Sequence, residues 1–377
     1  SSTEPITRLY DLKTIGTFQW SKRFSKTKPV EGGHHYLQLG TYGLALKEKY
    51  GTVDNMSLIY YNKDTSVMRE SVVPLHLLIE PVSSCNLRCT MCDPFKSTGW
   101  YKDAKLLEDK LGDEVIRAIT KDARPSSMGG DETSEFGLPL DFVDKNLETL
   151  LDSHVIDCGG GEPFFMPRFI YLVDKLVEHN YKGKLKIITN MTLLEDKIVK
   201  KLKKLSNVNL VVSLDGINDL YPYMRPSTPF GKYKGKTIQD RIIKYQNVFN
   251  IGISYTPQLM NVYNIKEYIE WLIENISSSE WCSSCNYFNK GVTEPRYLRI
   301  SVHPDVKYKN ELADWLEEIE DENNHLQSLI YQLRMPRSER DIDDWKFFCK
   351  TIDILDKYRK TSILKYVPKL EKYWIKA

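Results

Sequence analysis

The chain has 377 residues, with 53 Lys and Arg against 51 Asp and Glu, and seven cysteines. That length allows more than one domain and a substantial core, while the near balance of charge gives no global basic field of the kind nucleic-acid binders carry. An odd cysteine count, no apolar signal-like run near Ser1 and no apolar run approaching the roughly 18 residues of a bilayer span lead us to expect a cytoplasmic protein with reduced thiols and no membrane segment.

Residues 1 to about 70 show no motif. Thr17 to Lys28 is basic and aromatic, Glu31-Gly32-Gly33-His34-His35 interrupts it, and Ser57 to Tyr61 has the composition of a short strand. His34 and His35 sit beside two glycines with no third ligand near, which reads as an exposed turn. Pro74 to Pro81 is a mostly apolar run between prolines, the pattern of a buried strand. Directly after it, Cys85-Asn86-Leu87-Arg88-Cys89-Thr90-Met91-Cys92 crowds three thiols into eight residues of loop. A structural zinc site is closed by four ligands, whereas an iron-sulfur cluster held by only three cysteines keeps one open iron. The thiols alone leave both metals open.

Asp93 to about Asp144 is polar, with only Lys105 to Ile119 helical in pattern and a loop-forming run at Arg124 to Asp131. A connection of that length reads as a lid or an insertion. Regular alternation follows. His154 to Cys158 is a strand ending in Gly159-Gly160-Gly161-Glu162-Pro163, and Pro167 opens an apolar-periodic helix through Phe169, Leu172, Leu176 and Val177. Leu185 to Asn190 is a strand, Leu194, Ile198, Leu202 and Leu205 mark a helix, and Val208 to Asp215 is the next strand. A helix at about Ile238 to Val248, a strand at Ile251 to Pro257, a helix at Ile265 to Ile273 and a strand at Tyr297 to Val302 complete the series. Such spacing means parallel strands with right-handed crossovers, a barrel or an open α/β sheet, with the active site at the carboxyl ends of the strands. There lie the cysteine loop, the Gly-Gly-Gly-Glu-Pro loop, Asn190, Ser213, Asp215 and Gln258.

Together these residues resemble the radical SAM superfamily, whose marks are a Cys-x3-Cys-x2-Cys loop after the first strand of a partial (β/α)6 TIM-type barrel and a Gly-Gly-Glu-Pro loop after the second. The chain is most similar to twitch-domain members, including relatives of phage type, through Trp100-Tyr101-Lys102-Asp103-Ala104-Lys105 and through Leu355-Asp356-Lys357-Tyr358-Arg359 and Pro368-Lys369-Leu370-Glu371. The resemblance implies an α/β fold with an N-terminal extension (1–72), a barrel (73–276, with 93–144 as loop or lid) and an α-rich, twitch-like C-terminal region (277–377). It implies that Cys85, Cys89 and Cys92 hold a [4Fe-4S] cluster whose fourth iron takes S-adenosylmethionine. Reduction would then give a 5'-deoxyadenosyl radical that takes a hydrogen atom from a peptide or a small polar metabolite.

The loop of Gly160, Gly161, Glu162 and Pro163 is assigned by the same similarity to the methionyl amino group, where glycines let backbone approach a ligand. Asn190, Ser213 and Asp215 would offer hydrogen bonds at ribose height, Arg225 would pair the carboxylate, and Gln258 joins them past the fifth strand. An electron donor such as flavodoxin or ferredoxin is implied as partner. Met91 and Met191 depart from the family pattern. Cys282 and Cys285 have the spacing of half a metal site; with Cys349 they make three, short of the about four that a second cluster takes, and Cys158 belongs to the barrel, so a C-terminal region without a cluster is expected. A zinc knuckle at the C-terminal cysteines could share a histidine such as His303; RNA modification is a competing enzyme reading, and a zinc-stabilised binding module is the non-enzyme one.

Overall fold

The computed structural model describes residues 8–15, 55–62, 67–69, 76–79, 84–94, 97–112, 141–229, 231–276, 292, 295–319 and 326–376. The expectations at His34 and His35, at Cys282 and Cys285, and over most of the polar stretch 93–144 lie outside the described residues.

A small sheet of three strands joins β1 (Arg8–Ile15), β2 (Asn55–Asn62) and β3 (Val67–Arg69), with β1 parallel and β3 antiparallel to β2. Of these, composition predicts only β2. The second sheet carries the site. Its five strands, β4 (His76–Ile79), β5 (Val155–Cys158), β6 (Lys184–Thr189), β7 (Val208–Ser213) and β8 (Asn250–Ser254), lie in sequence order and all parallel. The apolar run in β7 reflects a strand covered on both faces, the rule for parallel sheets flanked by helices. This is the open, partial α/β barrel that the resemblance implies, within the choice of barrel or open sheet that the alternation leaves.

The helices in chain order are α1 (Trp100–Leu111), α2 (Phe142–Lys145), α3 (Leu147–Asp152), α4 (Pro167–Glu178), α5 (Asp196–Leu202), α6 (Tyr221–Met224), α7 (Gly235–Tyr245) and α8 (Ile265–Asn275). Then come α9 (Val306–Glu317), α10 (Gln327–Arg334), α11 (Glu339–Arg359) and α12 (Ile363–Tyr366). Pro167 opens α4, where its missing N–H costs nothing, and Ser338 with Asp341 caps α11 reciprocally. α1 begins five residues before the helical pattern expected from Lys105, because the buried Trp100 belongs to its packed face.

One expectation is corrected. Tyr297 to Val302 is not a strand but two 3-10 turns, Arg296–Leu298 and Ile300–Val302. Its alternating apolar residues are all buried, but between Pro295 and Pro304 Tyr297, Leu298 and Val302 join the core around α11 while Ile300 joins that of the sheet: Tyr297 meets the rings of Phe347 and Phe348 on α11 at 5.2 and 6.3 Å. An apolar run this short does not by itself separate strand from turn.

Among the described residues two apolar cores result. One lies between the parallel sheet and its helices; the other is shared by α1, α6, the turns at 296–302 and α11. Among the described residues no helix is long and apolar enough to cross a membrane.

Candidate cofactor site

The parallel register sets Ile79 beside Cys158 and Cys158 beside Ile187, so the loops after β4, β5 and β6 emerge together. The cysteine loop is braced by backbone. Arg88 N donates to Pro226 O (2.8 Å), Thr90 N to Met224 O (3.0 Å) and Cys92 N to Cys89 O (2.9 Å). Side chains add to this: Trp100 Nε1 donates to Cys89 O (2.7 Å) and Ser97 Oγ to Leu87 O (2.6 Å).

Burial pushes all three thiols up, and each lies near at least one negative or potentially negative neighbour. Metal ligation must therefore displace their protons. Among the described residues no three His, Cys, Asp or Glu side chains converge on a single ion. A cubane makes no such demand, since it takes one thiolate at each of three irons.

The next loop explains its glycines. Gly160 has φ +97°, and a Cβ on Gly161 would lie 2.0 Å from the Ser84 carbonyl oxygen, which accepts from Glu162 N at 2.9 Å. Gly161 thus lets the β4 and β5 loops touch. Glu162 is fully buried and accepts from Phe164 N (3.1 Å), Thr189 Oγ1 (2.7 Å) and Asn190 N (2.6 Å), tying the β5 loop to the end of β6. Burial raises its carboxyl to about 7, with those hydrogen bonds opposing the rise. Pro163 opens a 3-10 turn, Pro163–Phe165.

Asn190 Nδ2 lies 3.8 Å from Cys85 Sγ and donates to Asn86 Oδ1 at 3.0 Å. Its Oδ1 accepts from Thr192 N (3.0 Å) and Thr192 Oγ1 (2.6 Å). Met191, the departure from the family pattern, is buried in the left-handed region at φ +58°, where Arg241 Nη1 holds its carbonyl at 2.6 Å.

Arg225 is not a free fork. Its Nη2 is 2.5 Å from Asp215 Oδ2 and its Nη1 3.6 Å from Cys89 Sγ, while Asp215 Oδ1 accepts from Thr256 N at 2.9 Å. Asp215 is wholly buried, and Ser213 ends β7 beside Ser254. Gln258 is buried too, and its side-chain Nε2 has no partner; the same holds for Arg225 Nε and the Tyr221 hydroxyl. Buried groups of this kind cost about 1–3 kcal/mol each unless a partner arrives. Three thiols and a set of unpartnered polar groups at the strand ends fit a cluster with a polar cofactor.

Sequence reasoning missed Asn86, Thr189, Thr192 and Arg241, whose polar roles arise only once the loops meet. It also assigned no role to Asp103 and Arg359, although both lie in stretches already singled out.

The pattern of the radical SAM superfamily matches residues 79–271. No curated protein compared with the chain matches it. Among solved structures, Streptococcus suis SuiB bound to precursor peptide SuiA aligns at 15% identity and a TM-score of 0.38, over 78% of this chain and 54% of that one. Native anSMEcpe with bound AdoMet aligns at 17% identity and a TM-score of 0.41, over 65% of this chain and 61% of that one. The chain thus matches 54% and 61% of the length of these two structures.

Proposed function

The chain belongs to the radical SAM superfamily, and from that premise we propose an enzyme that uses a [4Fe-4S] cluster and S-adenosylmethionine to take a hydrogen atom from a peptide or a small polar metabolite. The observation that carries this reading is the braced loop of Cys85, Cys89 and Cys92 at strand ends where buried polar groups stand without partners. When bound and reduced, cluster and cofactor supply a carbon radical strong enough to break an unactivated C–H bond.

The chain's own residues hold and orient. Cys85, Cys89 and Cys92 would each bind one iron as thiolate. Gly160, Gly161, Glu162 and Pro163 form the loop against which the amino-acid end of the cofactor would lie, with Glu162 ordering the end of β6 through hydrogen bonds from Thr189 Oγ1 and Asn190 N. Asn190, next to Cys85, keeps the β6 end in register with the cluster loop. Arg225 and Asp215 offer the Nε donor and one buried ion pair, and Gln258 a buried amide; these, with Ser213, are the groups we assign to the cofactor. A small reduced carrier such as flavodoxin or ferredoxin would deliver the electron.

The test is anaerobic purification, with iron, sulfide and zinc measured and 5'-deoxyadenosine assayed after reduction with S-adenosylmethionine. We expect about four irons per chain, 5'-deoxyadenosine formation, and loss of both in Cys89→Ala. A zinc protein, or normal cluster formation in Cys89→Ala, overturns the reading.

A further inference from the structure

Two stretches that carry the family resemblance take no part in the chemistry above, yet the fold brings them together behind the cysteine loop. Asp103 on α1 is fully buried, and Arg359, the last residue of α11, places Nη2 3.0 Å from its Oδ2 and Nε 3.5 Å from its Oδ1. The same guanidinium turns toward the loop: Nη2 donates to the Arg88 carbonyl and Nη1 to the Thr90 hydroxyl, both at 3.3 Å. Those residues flank Cys89. Arg88 reaches Asp103 from its own side at 3.4 Å, and the Trp100 ring lies 5.8 Å from the Arg359 guanidinium while its indole N–H holds the Cys89 carbonyl. The helix end is itself fixed, because Asp356 accepts from Tyr223 Oη (3.0 Å) and Ile363 N (2.7 Å).

A buried ion pair is weak support for stability, since desolvation offsets much of its attraction, so such a pair beside a metal loop calls for another role. Only a planar fork can meet a carboxylate on one edge and two loop acceptors on the other; a lysine point charge cannot. The charges are also unequal in distance. Arg359 touches the backbone next to Cys89, whereas Asp103 meets the loop only through the Arg88 guanidinium. The nearer charge is positive, and cluster potentials respond to nearby charge and hydrogen bonding.

We propose that Arg359 is a positioning residue of the cluster loop: balanced by Asp103, its guanidinium fixes the chain on both sides of Cys89 and sets a cation beside the metal centre that favours the reduced state. The inference rests on the reading of Cys85, Cys89 and Cys92 as cluster ligands.

The test is a redox titration of the anaerobically reconstituted full chain, followed by electron paramagnetic resonance, with iron content measured in parallel. Arg359→Gln should move the midpoint potential to more negative values and Asp103→Asn to more positive ones. Arg359→Lys should hold the potential near the parent's but give up iron to a chelator severalfold faster. Lys357→Gln, on an exposed position of the same helix, should change neither. Unchanged potentials in Arg359→Gln and Asp103→Asn, or shifts in the same direction as a merely loosened loop would give, overturn the proposal. Should Arg359→Gln fail to fold, the sign of the Asp103→Asn shift decides. A parent chain that takes up no iron sinks the cluster reading instead, and is told apart by its iron content.

Discussion

Gly161 and Glu162 show how closely single residues are fitted here. The first permits an approach that no side chain allows, and the second is a carboxylate held by three donors where water does not reach. Gly161→Ala forces a Cβ to within 2.0 Å of a backbone oxygen, which cannot swing aside as a side-chain tip can. We expect it to cost about 1–3 kcal/mol, as overpacking does, and to impair cluster retention because the Ser84 contact leads directly into Cys85. Gly159→Ala is the control, since its Cβ would make an ordinary contact with Ile188 Cδ1 at 3.6 Å. Urea denaturation of both variants checks this; equal midpoints would show that the loops do not depend on their close approach.

At the level of elements, what was legible followed local pattern. Val155–Cys158, Lys184–Thr189 and Val208–Ser213 could be read because each apolar run is short and closed by polar or glycine residues, and their order placed the cysteine and glycine loops at one edge of the sheet. Tyr297 to Val302 could not, because Tyr297, Leu298 and Val302 pack in the core around α11 and pair with no neighbouring strand among the described residues. The Arg359 to Asp103 pair was equally hidden: 256 residues separate its members, and charge type alone names no partner at that distance. Nor could the role of His303, named only as a possible ligand, be read from its neighbours in sequence. It is wholly buried, and its Nδ1 accepts from Asp305 N at 3.2 Å while Tyr263 packs edge-on against it.

Burial first, and the nearby Lys309 second, push that imidazole down to about 3 from an ordinary 6.5. The unfolded chain therefore binds a proton below pH 6.5 that the folded chain refuses until about pH 3, so this contribution to stability is whole above 6.5 and is lost as pH falls through that window. His303→Asn keeps an acceptor near Nδ1 but cannot titrate. From pH 7 to pH 5 the parent should lose about 2 kcal/mol more than the variant in urea denaturation, and parallel losses would count against a buried neutral His303.

The whole molecule is less divisible than its sequence suggests. We keep 1–72, 73–276 and 277–377 as proposed units of organisation, yet the apolar core behind the cysteine loop draws on Trp100 and Leu107 of α1, Met224 of α6 and Trp345, Phe348 and Leu355 of α11. Neither side of the 276/277 boundary closes that core alone. A helix whose inward face also carries the Arg359 contact to the cluster loop cannot leave without exposing apolar surface and releasing an ion pair at once. Unfolding of the barrel and of the C-terminal helices should therefore be one event. Tryptophan fluorescence and far-UV circular dichroism are expected to report coincident transitions in the cluster-free chain, the test of a cooperative unit. Trp345→Ala, which empties a stack against Phe348 at 5.4 Å and an edge contact with Trp374 at 5.9 Å, should lower both transitions together by about 3–5 kcal/mol. If the fluorescence transition alone moved while the helical signal of the barrel kept its midpoint, the two regions would be separate folding units, and Arg359 would then be joined to the cluster loop by contact and not by folding.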